Sequence, residues 1–283
     1  MSEESQASSP ESSSARRGPR VLVVANQKGG VGKTATAINL GTALAAVGEQ
    51  ALVIDLDPQG NASTGLGIAR SDRRLSAYDV LMGHVPLSEA IVGTRIPGLF
   101  ILPATVDLSG AELELYTERD RNYRLRTALE QFAATGTKIS YVLIDCPPAL
   151  SLLTVNAMAA AHAVVVPLQC EFFALEGLSM LLKTIERVRS GLNPSLEIQG
   201  IILTMFDKRN NLSDQVASDV RAHLGDKVYQ TVIPRNVRIS EAPSHGLPAL
   251  VYDLRCPGSQ AYIRLASELI QRERAKFAET MAA

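Results

Sequence analysis

Glycines and lysines crowd one short segment near the start of the chain, ANQKGGVGKTATAIN at residues 25–39. Glycine allows the backbone to curl so that successive N–H groups converge on phosphate oxygens. Lys33 would neutralise the β- and γ-phosphates of a nucleotide, and the Thr34 hydroxyl would bind Mg²⁺. An apolar run precedes this loop and a helical pattern follows it over residues 35–47, which is the context that a phosphate-binding loop requires. The segment therefore predicts a nucleotide site.

Carboxylates end two further apolar runs, in IDLDPQG and YVLIDCPP. Asp55 and Asp57 are two residues apart, so their side chains leave the same face of a strand and both can reach the phosphate loop. Asp145 ends its strand just before two prolines, which is the form of a carboxylate that holds Mg²⁺, usually through a water. Asp145 also has a structural role open to it, as the N-terminal cap of the helix that starts near Ser151. The three carboxylates predict a Mg²⁺ site beside the phosphates.

Short apolar runs alternate with helix-length segments through the rest of the chain. Continuous apolar runs of this kind predict parallel strands covered on both faces. The expected fold class is α/β, a doubly wound, mostly parallel sheet with helices on both faces. Ligands in such folds bind at the carboxyl ends of the strands, where the loop and the carboxylates lie. The predicted strands are residues 21–25, 51–55, 99–103, 141–145, 163–168, 198–206 and 228–234.

The composition suits a large globular domain. The chain has 283 residues, of which 46% are apolar and 20% are charged, enough for a sizeable core. Residues 1–19 are rich in Ser and Glu and predict a flexible tail, and residues 20–283 predict a single domain. The apolar runs are too short or too interrupted for a membrane span, so we expect a cytoplasmic protein. Three scattered cysteines fit reduced thiols better than a disulfide framework or a zinc site.

Basic side chains gather in the second half of the chain. Residues 183–283 carry three more basic than acidic side chains, whereas residues 1–182 carry four more acidic ones. Cations in loops can reach DNA phosphates, and no stacking aromatics are interleaved with them, which predicts backbone binding without sequence readout. For each arginine taken alone, a surface salt bridge to Asp207 or Glu241 explains the residue as well as DNA binding does. The cations concerned are Lys208, Arg209, Arg235 and Arg238.

The segment KGGVGKT at residues 28–34 resembles the deviant Walker A loop of the ParA/MinD superfamily, a class of P-loop NTPases. The stretches QCEFFALEGLSML, LTMFDKRNNLS and VIPRNVRISEAPSHGLPALVYD resemble signature segments of its ParA/Soj chromosome-partition branch. In that superfamily the early lysine, here Lys28, reaches across a dimer interface to the nucleotide of the partner subunit. The resemblance implies a homodimer formed with ATP and slow hydrolysis of that ATP. The sequence lacks an Asn-Lys-x-Asp motif, which recognises guanine, and this favours ATP over GTP.

The resemblance also implies roles for individual residues. Asp57 orients the attacking water, and Asp55 supports the metal site indirectly. Arg209 and Arg238 bind double-stranded DNA nonspecifically in the ATP-bound dimer, and a ParB-type centromere-binding partner stimulates hydrolysis. We therefore expect a cytoplasmic, nucleoid-associated protein with ATP and Mg²⁺ as cofactors. Lys28, Lys33 and Asp57 are the expected catalytic residues, and Thr34, Asp55 and Asp145 the expected metal site. The expected nucleotide contacts are Lys28, Gly29, Gly30, Val31, Gly32, Lys33, Thr34, Ala35, Pro234 and Asn236, the last two against the adenine.

Two positions depart from the usual loop. Gln27 replaces its first glycine, and Ala35 replaces a Thr or Ser whose hydroxyl meets the α-phosphate. One lost hydrogen bond to a charged group costs about 1.5–3 kcal/mol, so we expect weaker ATP binding without its loss.

Other functions are open at this point. One alternative is a MinD-like or orphan ParA-like ATPase that positions a protein or membrane cargo, although the last residues, LASELIQRERAKFAETMAA, suit a packed helix better than a lipid anchor. A redox protein resembling nitrogenase iron protein would need paired cysteines in motifs that this chain lacks. An ATP-dependent metabolic ligase or synthetase is the third alternative, against which the partition-type segments argue.

Overall fold

A computed structural model describes residues 18–282, with side chains described through residue 279. The predicted tail of residues 1–19 lies outside the described residues, except for Gly18 and Pro19. The strands are β1 (Arg20–Val24), β2 (Ala51–Asp55), β3 (Val92–Gly93), β4 (Leu99–Leu102), β5 (Tyr141–Asp145), β6 (Ala163–Gln169) and β7 (Glu197–Thr204).

Helices follow nearly every strand. The α-helices are α1 (Lys33–Ala46), α2 (Asn61–Gly65), α3 (Ala77–Met82), α4 (Leu87–Ala90), α5 (Leu108–Glu114), α6 (Arg124–Ala134), α7 (Leu152–Ala160), α8 (Ala174–Gly191), α9 (Asn211–Leu224), α10 (Val237–Glu241), α11 (Ala249–Tyr252) and α12 (Pro257–Ala282). Short 3₁₀ turns cover Arg70–Asp72, Gly225–Lys227 and Ala242–His245.

All seven strands join one sheet in the order β3-β4-β2-β5-β1-β6-β7. Every neighbouring pair is parallel except the edge pair, in which β3 runs antiparallel to β4. Alternate side chains of β1 face opposite layers. Val21 and Val23 pack with α3, α6, α7 and α8, whereas Leu22 and Val24 pack with α1 and α12. The predicted α/β, doubly wound, mostly parallel sheet with helices on both faces is confirmed.

The predicted strand at residues 228–234 is wrong. This segment forms only isolated bridges near its two ends. Between them the backbone N–H groups of Gln230 and Thr231 donate to the Glu268 carboxylate of α12, both at 2.9 Å. Charge-assisted bonds to a side chain thus replace the bonds that a ladder with β7 would need. The two-residue strand β3 was not predicted from the sequence, because its ladder is too short to leave a pattern.

The long helix α12 packs on the sheet as its sequence predicts. Leu265 and Leu269 are buried in the same layer as α1. Within the residues that the structure describes, no helix is both long enough and apolar enough to cross a bilayer.

The carboxyl ends of the central strands meet at one edge. Asp145 of β5 pairs in register with Val24 of β1 on one side and with Asp55 of β2 on the other. The phosphate loop follows β1 directly, so the fold places the loop and both carboxylates side by side.

Candidate nucleotide-binding site

The phosphate loop between β1 and α1 has the backbone that its glycines predict. Gly30 and Gly32 have φ of 75° and 90°, in the left-handed region that favours glycine. Among the described residues no side chain caps α1 at Gly32, so its first N–H groups are open to an anion. The Thr204 hydroxyl at the end of β7 donates to Val31 O at 2.9 Å and ties the loop to the sheet.

Lys33 lies inside the loop. Its residue is 7% exposed, and its Nζ donates to Lys28 O at 2.9 Å. Burial lowers the pKa of the ammonium, and the charge of Asp145 opposes that shift. An ammonium has three donors, so one bond to a carbonyl leaves others for phosphate oxygens.

Lys28 occupies a different environment from Lys33. Its N–H donates to Asn26 Oδ1 at 3.0 Å, and Asn26 Nδ2 donates to Pro167 O at 2.8 Å. These two bonds fix the start of the loop to β6. The Lys28 ammonium forms an ion pair with Glu171, which follows β6, and its side chain is 45% exposed. One lysine is therefore held within the loop and the other is turned outward.

Asp145 is a buried carboxylate that lacks a hydrogen bond of normal geometry from the described residues. The residue is 0% exposed, and among the described residues neither oxygen accepts a hydrogen bond of normal geometry. Burial raises its pKa well above the usual value and the charge of Asp55 adds to this, whereas the nearby Thr34 hydroxyl lowers it. Mg²⁺ binds through one or two carboxylates together with waters and phosphates. Thr34 and Asp145 therefore fit a Mg²⁺ ion at this position.

Asp55 is buried and already bonded to its neighbours. Its Oδ2 accepts from Ser63 N at 2.8 Å and from Ser63 Oγ at 2.7 Å, and its Oδ1 accepts from Asp57 N at 3.2 Å. Burial raises its pKa to about 6 against the effect of these bonds. A carboxylate with this many donors orders its surroundings more readily than it binds a metal directly.

Asp57 lies in a tight turn beyond the end of β2. It is 8% exposed, its Oδ1 accepts from Gln59 N at 3.0 Å, and its carbonyl accepts from Gly60 N at 2.8 Å. Because Gly60 leads directly into α2, the position of the Asp57 carboxylate depends on where α2 lies.

A cavity of about 700 Å³ opens beside the loop, next to the segment at residues 233–244. Pro234 and Asn236 line it together with Thr34 and Ala35. The Asn236 side-chain oxygen accepts from Arg238 N at 2.9 Å and caps α10, so the amide nitrogen is the group left for a ligand. The structure thus brings the predicted adenine contacts and the phosphate loop around one cavity.

The two arginines predicted to bind DNA are both paired in the single chain. Arg209 makes two bonds to the Asp207 carboxylate, at 2.9 and 3.0 Å, and its side chain is 88% exposed. Its guanidinium lowers the pKa of Asp207 to about 2. Arg238 pairs with Glu241 at 3.0 Å and is 47% exposed. Arg238 also lies 3.5 Å from the Asp253 carboxylate. Ion pairs this exposed are weak, so both guanidinium groups can exchange their partners.

Three contacts of the site have no sequence pattern that predicts them. Ser63 holds Asp55 from eight residues away, and Glu171, which follows the neighbouring strand β6, pairs with Lys28. Glu112 accepts from the Leu152 backbone N–H at 2.9 Å and so caps α7. The cap that was open to Asp145 is therefore supplied by another carboxylate.

Known proteins resemble this chain over most of its length. Residues 19–198 match a family described as an AAA domain. The chain is 68% identical over 255 residues to the chromosome partitioning protein ParA of Caulobacter vibrioides, covering 90% of this chain and 95% of that protein. It is 49% identical over 250 residues to the sporulation initiation inhibitor protein Soj of Bacillus subtilis, covering 88% and 98%. Cobyrinic acid a,c-diamide synthase from Mycobacterium smegmatis, solved with bound ATP analog and magnesium, is 38% identical with a TM-score of 0.79, covering 91% and 97%.

The fold and the loop with two lysines define an ATPase of the ParA/MinD superfamily. Identity to the partition proteins is well above identity to the synthase. The chain belongs to the ParA/Soj family of chromosome-partitioning ATPases.

Proposed function

We propose that this chain is a nucleotide switch whose ATP-bound dimer binds DNA without sequence preference and segregates chromosome or plasmid DNA. The observation that carries this proposal is the separation of the two loop lysines. Lys33 bonds within its own loop, whereas the Lys28 ammonium pairs outward with Glu171 and is nearly half exposed. A lysine used only for its own nucleotide would have no reason to face outward.

ATP would bind with its phosphates on the loop and its base in the neighbouring cavity. The backbone N–H groups of residues 29–35 and the Lys33 ammonium would hold the phosphates, with Pro234 and Asn236 against the adenine. Thr34 and Asp145 would hold Mg²⁺, which neutralises charge on the β- and γ-phosphates when bound. The magnesium and ATP analog in the related synthase structure support this arrangement.

Hydrolysis would depend on Asp57 and the network behind it. Asp57 accepts a hydrogen bond from a water and so orients it toward the γ-phosphate, and the same carboxylate can accept its proton. Asp55 accepts a 3.2 Å hydrogen bond from the backbone N–H of Asp57. Asp55 thereby fixes the Asp57 backbone and supports the metal site indirectly. A carboxylate held by its own turn moves little, so a water bound to it is held in a set geometry.

Two copies of the chain would close face to face around ATP. Lys28 would leave Glu171 and reach the phosphates bound by the partner subunit. The Lys28 side chain of this pair is nearly half exposed, so leaving Glu171 costs less than breaking a fully buried pair would. ATP would then contribute contacts to both subunits, which makes dimer formation dependent on nucleotide.

DNA binding would follow from dimer formation. Arg209 and Arg238 are exposed cations whose carboxylate partners a phosphate can replace. Doubling them in a dimer creates a wider basic surface than one chain offers, and phosphate contacts carry no sequence information. A nucleoid-associated, cytoplasmic switch of this type would be released by a ParB-type partner that stimulates hydrolysis.

A MinD-like or orphan ParA-like ATPase with a protein or membrane cargo is the alternative. It would use the same loop and carboxylates but would need a lipid-seeking or cargo-binding surface. Leu265 and Leu269 of α12 are buried in the core, so they are not open to lipid. Flotation with liposomes of anionic lipid tests this alternative, and cofloating protein would support it.

Binding to a fluorescent random-sequence duplex tests the proposal. We expect binding with ATP and Mg²⁺, little with ADP or without nucleotide, and a steep loss as salt rises. Lys28→Ala should lose ATP-dependent binding while Lys138→Ala, at another exposed lysine, keeps it. Equal binding in all nucleotide states would contradict the switch.

A further inference from the structure

We propose that Arg73 is a positioning residue for ATP hydrolysis. Its buried guanidinium fixes α2 and, through Ser63 and Asp55, keeps Asp57 in place. This inference rests on the proposed role of Asp57 in orienting water, and the experiment below separates failure of one from failure of the other.

Arg73 is a buried cation held by neutral groups. It is 7% exposed, and its Nη1 donates to Ala104 O at 3.0 Å. Its Nη2 donates to Thr64 Oγ1 at 2.8 Å, and both Nε and Nη2 donate to Ile68 O, at 3.2 and 2.9 Å. Within the described part of the chain no carboxylate forms an ion pair with it. The planar guanidinium thus joins the segment after β4 to the last turn of α2 and to the residues that follow it, which a lysine cannot do.

Ala104 connects Arg73 to the carboxylates. Its carbonyl accepts from Arg73, and its N–H donates to Ser63 Oγ at 3.0 Å. Ser63 in turn donates twice to Asp55, which accepts from the Asp57 N–H. Arg73 is therefore linked to Asp57 by hydrogen bonds through buried groups. A shift of the guanidinium would move Ser63 and release Asp55.

The turn that carries Asp57 also fits directly against the guanidinium. A Cβ added at Gly60 would lie 2.2 Å from Arg73 Nη1 and 3.2 Å from Ala104 O. Gly60 has φ of 65°, a conformation that other residues rarely adopt. The turn and the guanidinium therefore occupy adjoining space, so Arg73 limits where the turn can lie.

Variants of Arg73 should lower the hydrolysis rate more than ATP affinity. Arg73→Met keeps the volume and removes every donor, and Arg73→Lys keeps the charge with fewer, differently placed donors. We expect the single-turnover rate constant to fall about 10- to 100-fold, the range that small misplacement of a catalytic group produces. The Kd for ATP should change less than about threefold, because Arg73 lies outside the phosphate loop.

A double-mutant cycle with Ser63→Ala separates positioning from general destabilisation. If Arg73 acts through Ser63, the double variant Arg73→Lys with Ser63→Ala should be hardly slower than the slower single variant. Multiplicative losses would show two independent effects and would overturn the inference. Arg74→Gln is the matched control, since Arg74 is the adjacent but exposed arginine, and it should hydrolyse ATP at the rate of the unchanged chain.

Thermal unfolding and nucleotide binding are measured for every variant. If Arg73→Met does not fold, the hydrolysis rate is compared with Arg73→Lys instead. Asp57→Ala is measured beside them. If Asp57→Ala stops hydrolysis and the Arg73 variants keep the normal rate, the positioning role is wrong and the role of Asp57 stands. If Asp57→Ala hydrolyses normally, the role of Asp57 is wrong and the positioning role falls with it.

Discussion

Replacing Asp145 with Asn should stabilise the chain in the absence of nucleotide and abolish its response to Mg²⁺. Asp145 is 0% exposed, has no hydrogen-bond partner of normal geometry among the described residues and faces Asp55 across the β2–β5 pair. A buried polar group without a hydrogen-bond partner costs about 1–3 kcal/mol, and more when it is charged. The charge of Lys33 offsets part of this cost for Asp145. We therefore expect Asp145→Asn to raise the free energy of unfolding by about 2 kcal/mol, or several degrees in Tm.

The gain in the free energy of unfolding on Asp145→Asn should depend on pH. Burial raises the pKa of Asp145 in the folded chain, so the folded chain takes up this proton at a higher pH than the unfolded chain does. The penalty of the charged form is complete above the raised pKa and disappears as pH falls toward the unfolded value near 4. The advantage of Asp145→Asn should accordingly be largest at pH 8 and shrink at lower pH. Burial also raises the pKa of Asp55, to about 6, and this carboxyl group is present in both proteins.

The assay is urea unfolding followed by circular dichroism at pH 8 and pH 6, with and without ATP and Mg²⁺. Without ligand, the unchanged chain should be less stable than Asp145→Asn at pH 8. With ATP, addition of Mg²⁺ should stabilise the unchanged chain and leave the variant nearly unaffected. If Asp145→Asn is less stable than the unchanged chain at pH 8, this prediction is wrong, because Asp145 is then satisfied within the folded chain.

Further predictions concern DNA, the altered loop position and the network behind Asp57. Arg209→Ala and Arg238→Ala should each weaken binding to all DNA sequences and reduce the salt slope by about one phosphate contact. Arg126→Ala, which breaks an ion pair of similar exposure on α6, should leave DNA binding unchanged, and loss confined to one sequence would contradict phosphate contact. Ala35→Thr should tighten ATP binding by roughly tenfold or more, as titration calorimetry would show, by restoring a hydroxyl to the α-phosphate. Ser63→Ala should lower the free energy of unfolding by about 1–3 kcal/mol in urea, because it leaves Asp55 short of a donor; no loss would mean that water replaces the hydroxyl.

Local patterns predicted the sheet and the nucleotide loop. Apolar runs at residues 51–55 and 141–145 became β2 and β5 with the expected bounds, because a fully buried parallel strand must be apolar along its whole length. Two of the loop glycines adopt the positive φ that their spacing predicts. Both signals come from residues that are near one another in sequence.

Contacts between distant residues were not predictable in this way. Residues 228–234 have the composition of a strand, but Glu268, more than thirty residues later, takes two of the backbone donors. Glu171 and Ser63 bond to loop and strand residues that only the folded chain brings near. Arg73 looks like a surface arginine beside Arg74, and nothing in its neighbours indicates that it is buried among carbonyl groups.

The dependence of the molecular mass in solution on nucleotide tests whether ATP joins two chains through Lys28. Light scattering would compare the chain with ATP and Mg²⁺, with ADP and without nucleotide, using Asp57→Ala to slow hydrolysis. With ATP and Mg²⁺ we expect twice the mass of one chain, and with ADP or without nucleotide the mass of one chain. Adding Lys28→Ala should give the mass of one chain even with ATP and Mg²⁺. A dimer that forms equally without nucleotide, or that persists in Lys28→Ala, would contradict it.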